Sequence, residues 1–417
     1  MKYLFLVLFL FLIHSLLCAE NYYVRSDADG KGNGKDWSNA YLELPKRLKR
    51  GNTYYIADGT YNGHVFKDPE KGSTLIIIKK ATQSDHGTDI GWKSSYGDGV
   101  AHFASRIRFD SDYYVFDGQV GSKTTGHGFK ITTYEVSTDS KLCHINKANY
   151  ISVSHVEMEH VGVDTEFRQD CIYVIGNKDE DRSHHISFTH CYVHDVNRTH
   201  GVFYWVTDII IEHCHFYHRH NESGIHGTSL SFNHCSENAN NIIRYNTFWD
   251  VRGTNFIGIK DSIQGYFYVY GNVFYQSERE YTTSNGIVTN TGGDTNHHMF
   301  IYNNTIVDCT GYATGISFFN GSKNLVYNNI WYNCENVRFT GVEHDYNAFF
   351  NSGNHIEQDK QILLNNPFVS YENHDYRLIL PTFSGYKLES PFNRDMDGIE
   401  RGNDSNWDRG AFEYIKK

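Results

Sequence analysis

The sequence predicts an all-β solenoid, a chain wound into a stack of short coils, and three observations point to it. First, a short apolar phrase recurs from about residue 151. It reads Ile151-Ser-Val-Ser-His155, Ile186-Ser-Phe-Thr-His190 and Ile209-Ile-Ile-Glu-His213. It then continues as Ile242-Ile-Arg-Tyr-Asn246, Tyr268-Val-Tyr-Gly-Asn272, Phe300-Ile-Tyr-Asn-Asn304 and Leu325-Val-Tyr-Asn-Asn329. The intervals of 35, 23, 33, 26, 32 and 25 residues all lie near one coil of a stacked repeat. Second, the chain has only 5 Pro against 36 Gly, 31 Tyr and 27 Phe, which favours strands joined by glycine turns. Third, each coil carries a second run, such as Cys171-Ile-Tyr-Val-Ile175, Gly201-Val-Phe-Tyr-Trp205 and Phe256-Ile-Gly-Ile-Lys260. Aligned at their first residues, these runs and their later counterparts place Ile172, Val202, Ile225, Ile257, Ile287 and Ile316 in one inward stack.

With 417 residues the chain can bury a large core, and a solenoid grows without splitting into domains. The formal charge of −11 disfavours nucleic acid as a partner, since an acidic surface repels phosphates. Residues 1–19 read as a secretory signal: Lys2 gives a positive start, Leu4 to Leu17 an apolar core, and cleavage near Ala19 leaves Glu20 first. That core is too short for a comfortable membrane span. Cys18 raises a lipoprotein reading, which the bulky Leu17 before it disfavours. A secreted monomer, extracellular or periplasmic, is expected.

Past the signal, residues 20–60 read as an N-terminal cap with strands at Tyr22–Val24 and Tyr54–Ile56 and a short helix within 37–50, limited by Pro45. Residues 61–150 hold early coils with long loops. The loop with Asp85, His86 and Asp89 reads as a turn rather than a metal site. Residues 151–350 are the regular coils, and 351–417 the last coil and a wrapping tail. There Asp395 and Asp397 suit a turn bridged to Arg401 better than calcium. Of the seven cysteines past the signal, Cys191 with Cys214 and Cys309 with Cys334 fall in neighbouring coils, about 4.8 Å apart. Both a disulfide and a thiol filling a core slot fit that spacing. No cysteine spacing suggests zinc.

Coils ending in Asn-Asn, with the opening Gly30-Lys-Gly-Asn-Gly34 and the closing Asp408-Arg-Gly-Ala-Phe-Glu413, resemble secreted right-handed parallel β-helix (pectate-lyase-like) proteins. The resemblance covers nearly all of the chain past the signal. It implies a single-stranded right-handed parallel β-helix and a polysaccharide ligand. It leaves the activity open, because lyases, hydrolases and non-catalytic adhesins share this fold. Asparagines stacked in a turn bond to one another along the axis, and His155, His190 and His213 in the same slot then read as scaffold.

The resemblance also implies that substrate lies on the outer face of one sheet. Alternation along the second run puts Tyr173, Phe203, His226 and Gly258 in one outward row and Trp205, Thr228 and Lys260 in the next. His226 and Lys260 are then roughly 8 Å apart, and Phe203 and Trp205 are placed to stack on sugars. A lyase needs a group to neutralise the uronate carboxylate, a base for the C5 proton and a donor for the leaving oxygen. His226, Lys260 and His200 are the catalytic candidates. Arg198, Arg252 and Glu222 in the adjoining turns join Trp205 and Phe203 as substrate-binding candidates. Calcium is an optional cofactor. Gly224-Ile-His-Gly227 and Ile257-Gly-Ile-Lys260 faintly resemble polygalacturonase motifs, but the paired aspartates of those hydrolases have no counterpart in His200-Gly-Val-Phe-Tyr-Trp205. The expectation is a lyase of an acidic glycan, with a non-catalytic carbohydrate binder as the alternative.

Overall fold

The computed structural model describes residues 19–133, 139–161, 168–178, 182–219, 227–236, 239–260, 264–277, 282–291, 296–311, 314–318, 323–353 and 355–416. The signal sequence with Cys18, and the candidates Glu222 and His226, lie outside the described residues.

The repeated phrases fold as expected. Each coil contributes one strand to each of three parallel sheets of 12, 12 and 11 strands, giving a right-handed parallel β-helix. In one representative coil the chain runs through Ile151–Ser154 in the first sheet, Val156–His160 in the second and Arg168–Ile175 in the third. Every inward position stacks on its counterpart in the next coil. Phe216, Phe248 and Phe274 line the second sheet with ring centroids 4.7 and 4.9 Å apart. Phe203 and Phe232 do so in the third at 4.6 Å. These rings are fully buried, and the transfer of such apolar area from water is the main stabilising term.

The chain turns from the first sheet to the second over a left-handed residue: His155, His190, His213, Tyr245, Gly271, Asn303 and Asn328 in successive coils. The strand register pairs Glu212 with Arg244, so His213 stacks on Tyr245 and Cys214 on Asn246. The asparagine ladder is therefore one residue further in than the histidines. Asn246, Asn272, Asn304, Asn329 and Asn347 are all fully buried. Each Oδ1 from Asn272 onward accepts both the backbone N–H and the Nδ2–H of the asparagine one coil earlier, at 2.9–3.0 Å. Cys214 extends this ladder, its N–H donating to Asn246 Oδ1 at 2.9 Å, and the Cys191 N–H meets Cys214 Sγ at 3.4 Å. The seven described cysteines are buried thiols, and those of Cys191, Cys214, Cys309 and Cys334 point at backbone carbonyls. His155, His190 and His213 sit outside that ladder and stack ring on ring at 4.9 and 5.0 Å.

The cap differs from expectation in one respect. Residues 37–50 form turns, not a helix, because Trp37 is fully buried against Tyr23, Trp92 and Tyr96 and anchors the segment. The tail adds an antiparallel pair, Phe368–Ser370 with Asp375–Leu378, and then returns along the coils. Asp395 accepts N–H bonds from Asp397, Ile399 and Glu413, so it caps a turn, and Arg401 pairs with Glu413 at 3.3 Å. No described helix is long and apolar enough to cross a membrane.

Candidate functional site

From Ile151 onward the connections from first to second sheet are only one or two residues long, which leaves no room for walls. The third sheet is different. Connections of seven and eight residues precede its strands at 161–167 and 220–227, and others follow at 176–182 and 234–239. Binding residues are usually carried by such loops on a rigid scaffold. The third sheet is thus the one whose strands have long connections in the sequence at both ends.

In its early coils this face gathers cations around His144. The register aligns Arg108, His144, Tyr173, Val202, Ser231, Gly258 and Thr289 in one outward row. Tyr204, Asn233 and Lys260 form the next. Lys141 Nζ lies 4.2 Å from the centre of the Tyr173 ring, and His144 meets the same ring edge-on at 5.4 Å. His144 is only 8% exposed, and neither of its ring nitrogens has a hydrogen-bond partner among the described residues. An unsatisfied buried imidazole in native structure calls for an explanation. Burial, reinforced by the charges of Lys141, Arg108 and Arg106, pulls its pKa down to about 4. It is thus an uncharged base at neutral pH, held among cations. Of the nearby carboxylates, Asp110 pairs with Arg108 at 2.7 Å, and Asp170 is fully buried against Arg198.

The sequence-derived candidates fare unevenly. Lys260 is half-buried on this outer face, about 19 Å along the stack from His144 at four coil spacings. Phe203 faces the core, not solvent, because Ile172 pairs with Gly201 and shifts the row by one. The same shift puts Val202 outside and Val288, rather than Ile287, in line with Ile257. The strand after the 220–227 connection is Thr228–Asn233, so the residue opposite Gly258 is Ser231, not His226. His200 is fully buried between Ser229 Oγ at 2.8 Å and the Tyr217 carbonyl at 2.9 Å, with its pKa pushed down to about 3 chiefly by burial. It holds two layers together and is out of reach of a substrate. Arg198 is tied to Asp170 through Nε at 2.8 Å and through a second guanidinium nitrogen. Trp205 occupies a left-handed corner and stacks on His234 at 5.4 Å, while Arg252 is half-buried in the turn before a third-sheet strand, its N–H donating to the Arg219 carbonyl at 3.3 Å. His144 was overlooked, although the alternation Cys143, His144, Ile145 continues the second run one coil earlier.

One group among the described residues has metal-binding spacing: Glu157, Glu159 and His194, on the outer face of the second sheet. There Lys130 Nζ already bonds both carboxylates at 2.6 and 2.7 Å. Burial would raise the Glu157 pKa, but His194 and Lys130 outweigh it and hold it down to about 2. This arrangement is an internal ion network. In the early loop, Asp85 bonds Lys79 and Tyr55, and His86 pairs with Asp89 at 2.9 Å, as a turn would.

No family model and no curated protein matches this sequence. Among solved structures the chain is similar to the pectate lyase Pel9A, at 14% identity over 95% of this chain and 96% of that one, with a TM-score of 0.42. It is also similar to tailspike protein gp49 of the Acinetobacter baumannii bacteriophage Fri1, a capsular polysaccharide depolymerase. Identity there is 11% over 73% of this chain and 61% of that one, with a TM-score of 0.22. The strand pairing itself establishes the parallel β-helix.

Proposed function

We propose that the chain is an exported polysaccharide-acting protein that cleaves an acidic, uronate-containing glycan by β-elimination on the outer face of the third sheet. The observation that carries the reading is His144, an uncharged and unpartnered imidazole set among Arg106, Arg108 and Lys141 in a chain of net charge −11. The cations neutralise the uronate carboxylate and so acidify the C5 proton. His144 takes that proton, the C4–C5 double bond forms, and the bond from C4 to its glycosidic oxygen breaks. Tyr173, in contact with His144, donates a proton to the departing oxygen, and solvent restores both groups. Lys260 holds a sugar further along the chain. Asp110 and Asp170 are each paired with an arginine, so neither supports an acid pair for inverting hydrolysis among the described residues.

The test is incubation of the purified protein with pectate, alginate, glycosaminoglycans and ulvan, with the ultraviolet absorbance of unsaturated uronate as readout. Product from at least one polymer is expected. Binding without product would instead establish a carbohydrate-binding surface protein. Export is tested by N-terminal sequencing of the secreted chain, expected to begin at Glu20.

A further inference from the structure

A separate cleft lies on the outer face of the second sheet. Its floor includes His215, Trp249 and Tyr275, from three successive strands. One wall is the hairpin around Lys123, carried by the long connection at 118–128. The other is the C-terminal tail around Arg377. The enclosed volume is ≈ 640 Å³, in the size range of ligand pockets.

The ring faces on this floor are already used. Tyr217 and Trp249 stack at 4.7 Å, Trp249 and Tyr275 at 6.0 Å with planes 1° apart, and His374 covers Tyr275 at 4.7 Å. The floor therefore presents ring edges. The Trp249 indole N–H and the imidazoles of His213 and His215 sit there without a hydrogen-bond partner among the described residues. Such half-buried polar groups are satisfied by water or by a ligand.

The charges in the walls cancel. Arg377 pairs with Asp375 at 2.5 Å, and Lys123 faces Asp375 and Asp397 across the opening. Burial, then Lys123 and the neighbouring histidines, draws the His215 pKa down to about 3, and burial lowers that of His213. The cleft is electrically balanced at neutral pH, unlike the basic face of the third sheet. An anion entering it would gain no net attraction, because two carboxylates oppose the two cations. A ligand that is uncharged, rich in hydroxyls and partly apolar fits both the free polar edges and the apolar Val273, Met396 and Phe412.

The geometry points to this cleft as a second saccharide site, one that takes an uncharged oligosaccharide. It stands independently of the lyase reading, because a different sheet builds it. The test is calorimetric titration of the full protein with cellohexaose, mannohexaose and xylohexaose at low and high salt. At least one is expected to bind, with an affinity insensitive to salt. Trp249→Ala is expected to weaken that binding about tenfold or more. Thr247→Trp, which fills the floor and leaves the ring stack in place, is expected to do the same and carries the test if Trp249→Ala fails to fold. Neither substitution is expected to alter release of unsaturated product from an acidic glycan. Absence of binding at millimolar concentration of all three sugars would overturn the proposal. So would binding that survives Thr247→Trp, or displacement of the neutral sugar by an acidic glycan.

Discussion

At the scale of single residues, burial sets the behaviour of the histidines. His144 is the basic form wherever the pH exceeds its pKa of about 4. If it takes the substrate proton, the acid limb of kcat/KM should fall near pH 4 rather than near the ordinary histidine value of about 6.5. A pH–rate profile checks this, and an acid limb near 6.5 would point to an exposed histidine instead. His200 makes a different contribution. Its folded pKa of about 3 lies below the unfolded value of about 6.5, so the unfolded chain binds the extra proton between them. Stability from this group is present above about pH 6.5 and is lost as pH falls toward 3. His200→Gln should therefore reduce the slope of unfolding free energy against pH by about 1.4 kcal/mol per pH unit in that window. Urea titrations at a series of pH values read this directly.

At the scale of one element, the first-to-second-sheet turn shows what the sequence discloses and what it hides. Its period and its polar stacking are legible in the recurring phrase. The slot is not, because a histidine in the early coils and an asparagine in the later ones both follow an apolar run. Only strand pairing separates the outer position of His213 from the inner one of Cys214. Asn272 is the sharpest probe of the ladder, since its Oδ1 satisfies two donors of Asn246 and its amide bonds Ile243, Tyr270 and Asn304. Asn272→Ala leaves buried donors unsatisfied and should cost about 3 kcal/mol. Asn272→Cys should cost less, because cysteine already fills this slot at Cys191 and Cys214. Denaturant unfolding of the two variants measures the difference.

At the scale of the whole molecule, the architecture follows from composition and period, whereas the site depends on register. A strand slipped by one residue exchanges its inner and outer faces. Phe203 shows the consequence: aligning Gly201 with Cys171 turns it outward, yet Gly201 pairs with Ile172 and Phe203 packs in the core. The same alignment sets His226 opposite Gly258, whereas the strand that begins at Thr228 places Ser231 there. What the sequence did convey was the outward position of Lys260. If, as proposed, the basic residues of the third sheet neutralise an acidic sugar, cleavage should persist in a chelator such as EDTA. Affinity for the acidic glycan should fall as salt is raised, because exposed charges are screened within about 10 Å at 0.1 M. Assays with and without chelator and across a salt series check both. The most direct test compares wild type with His144→Gln on the best acidic glycan, reading release of unsaturated product alongside binding. The account predicts a loss of about a hundredfold or more in turnover, with binding nearly unchanged. Wild-type turnover by His144→Gln would contradict it.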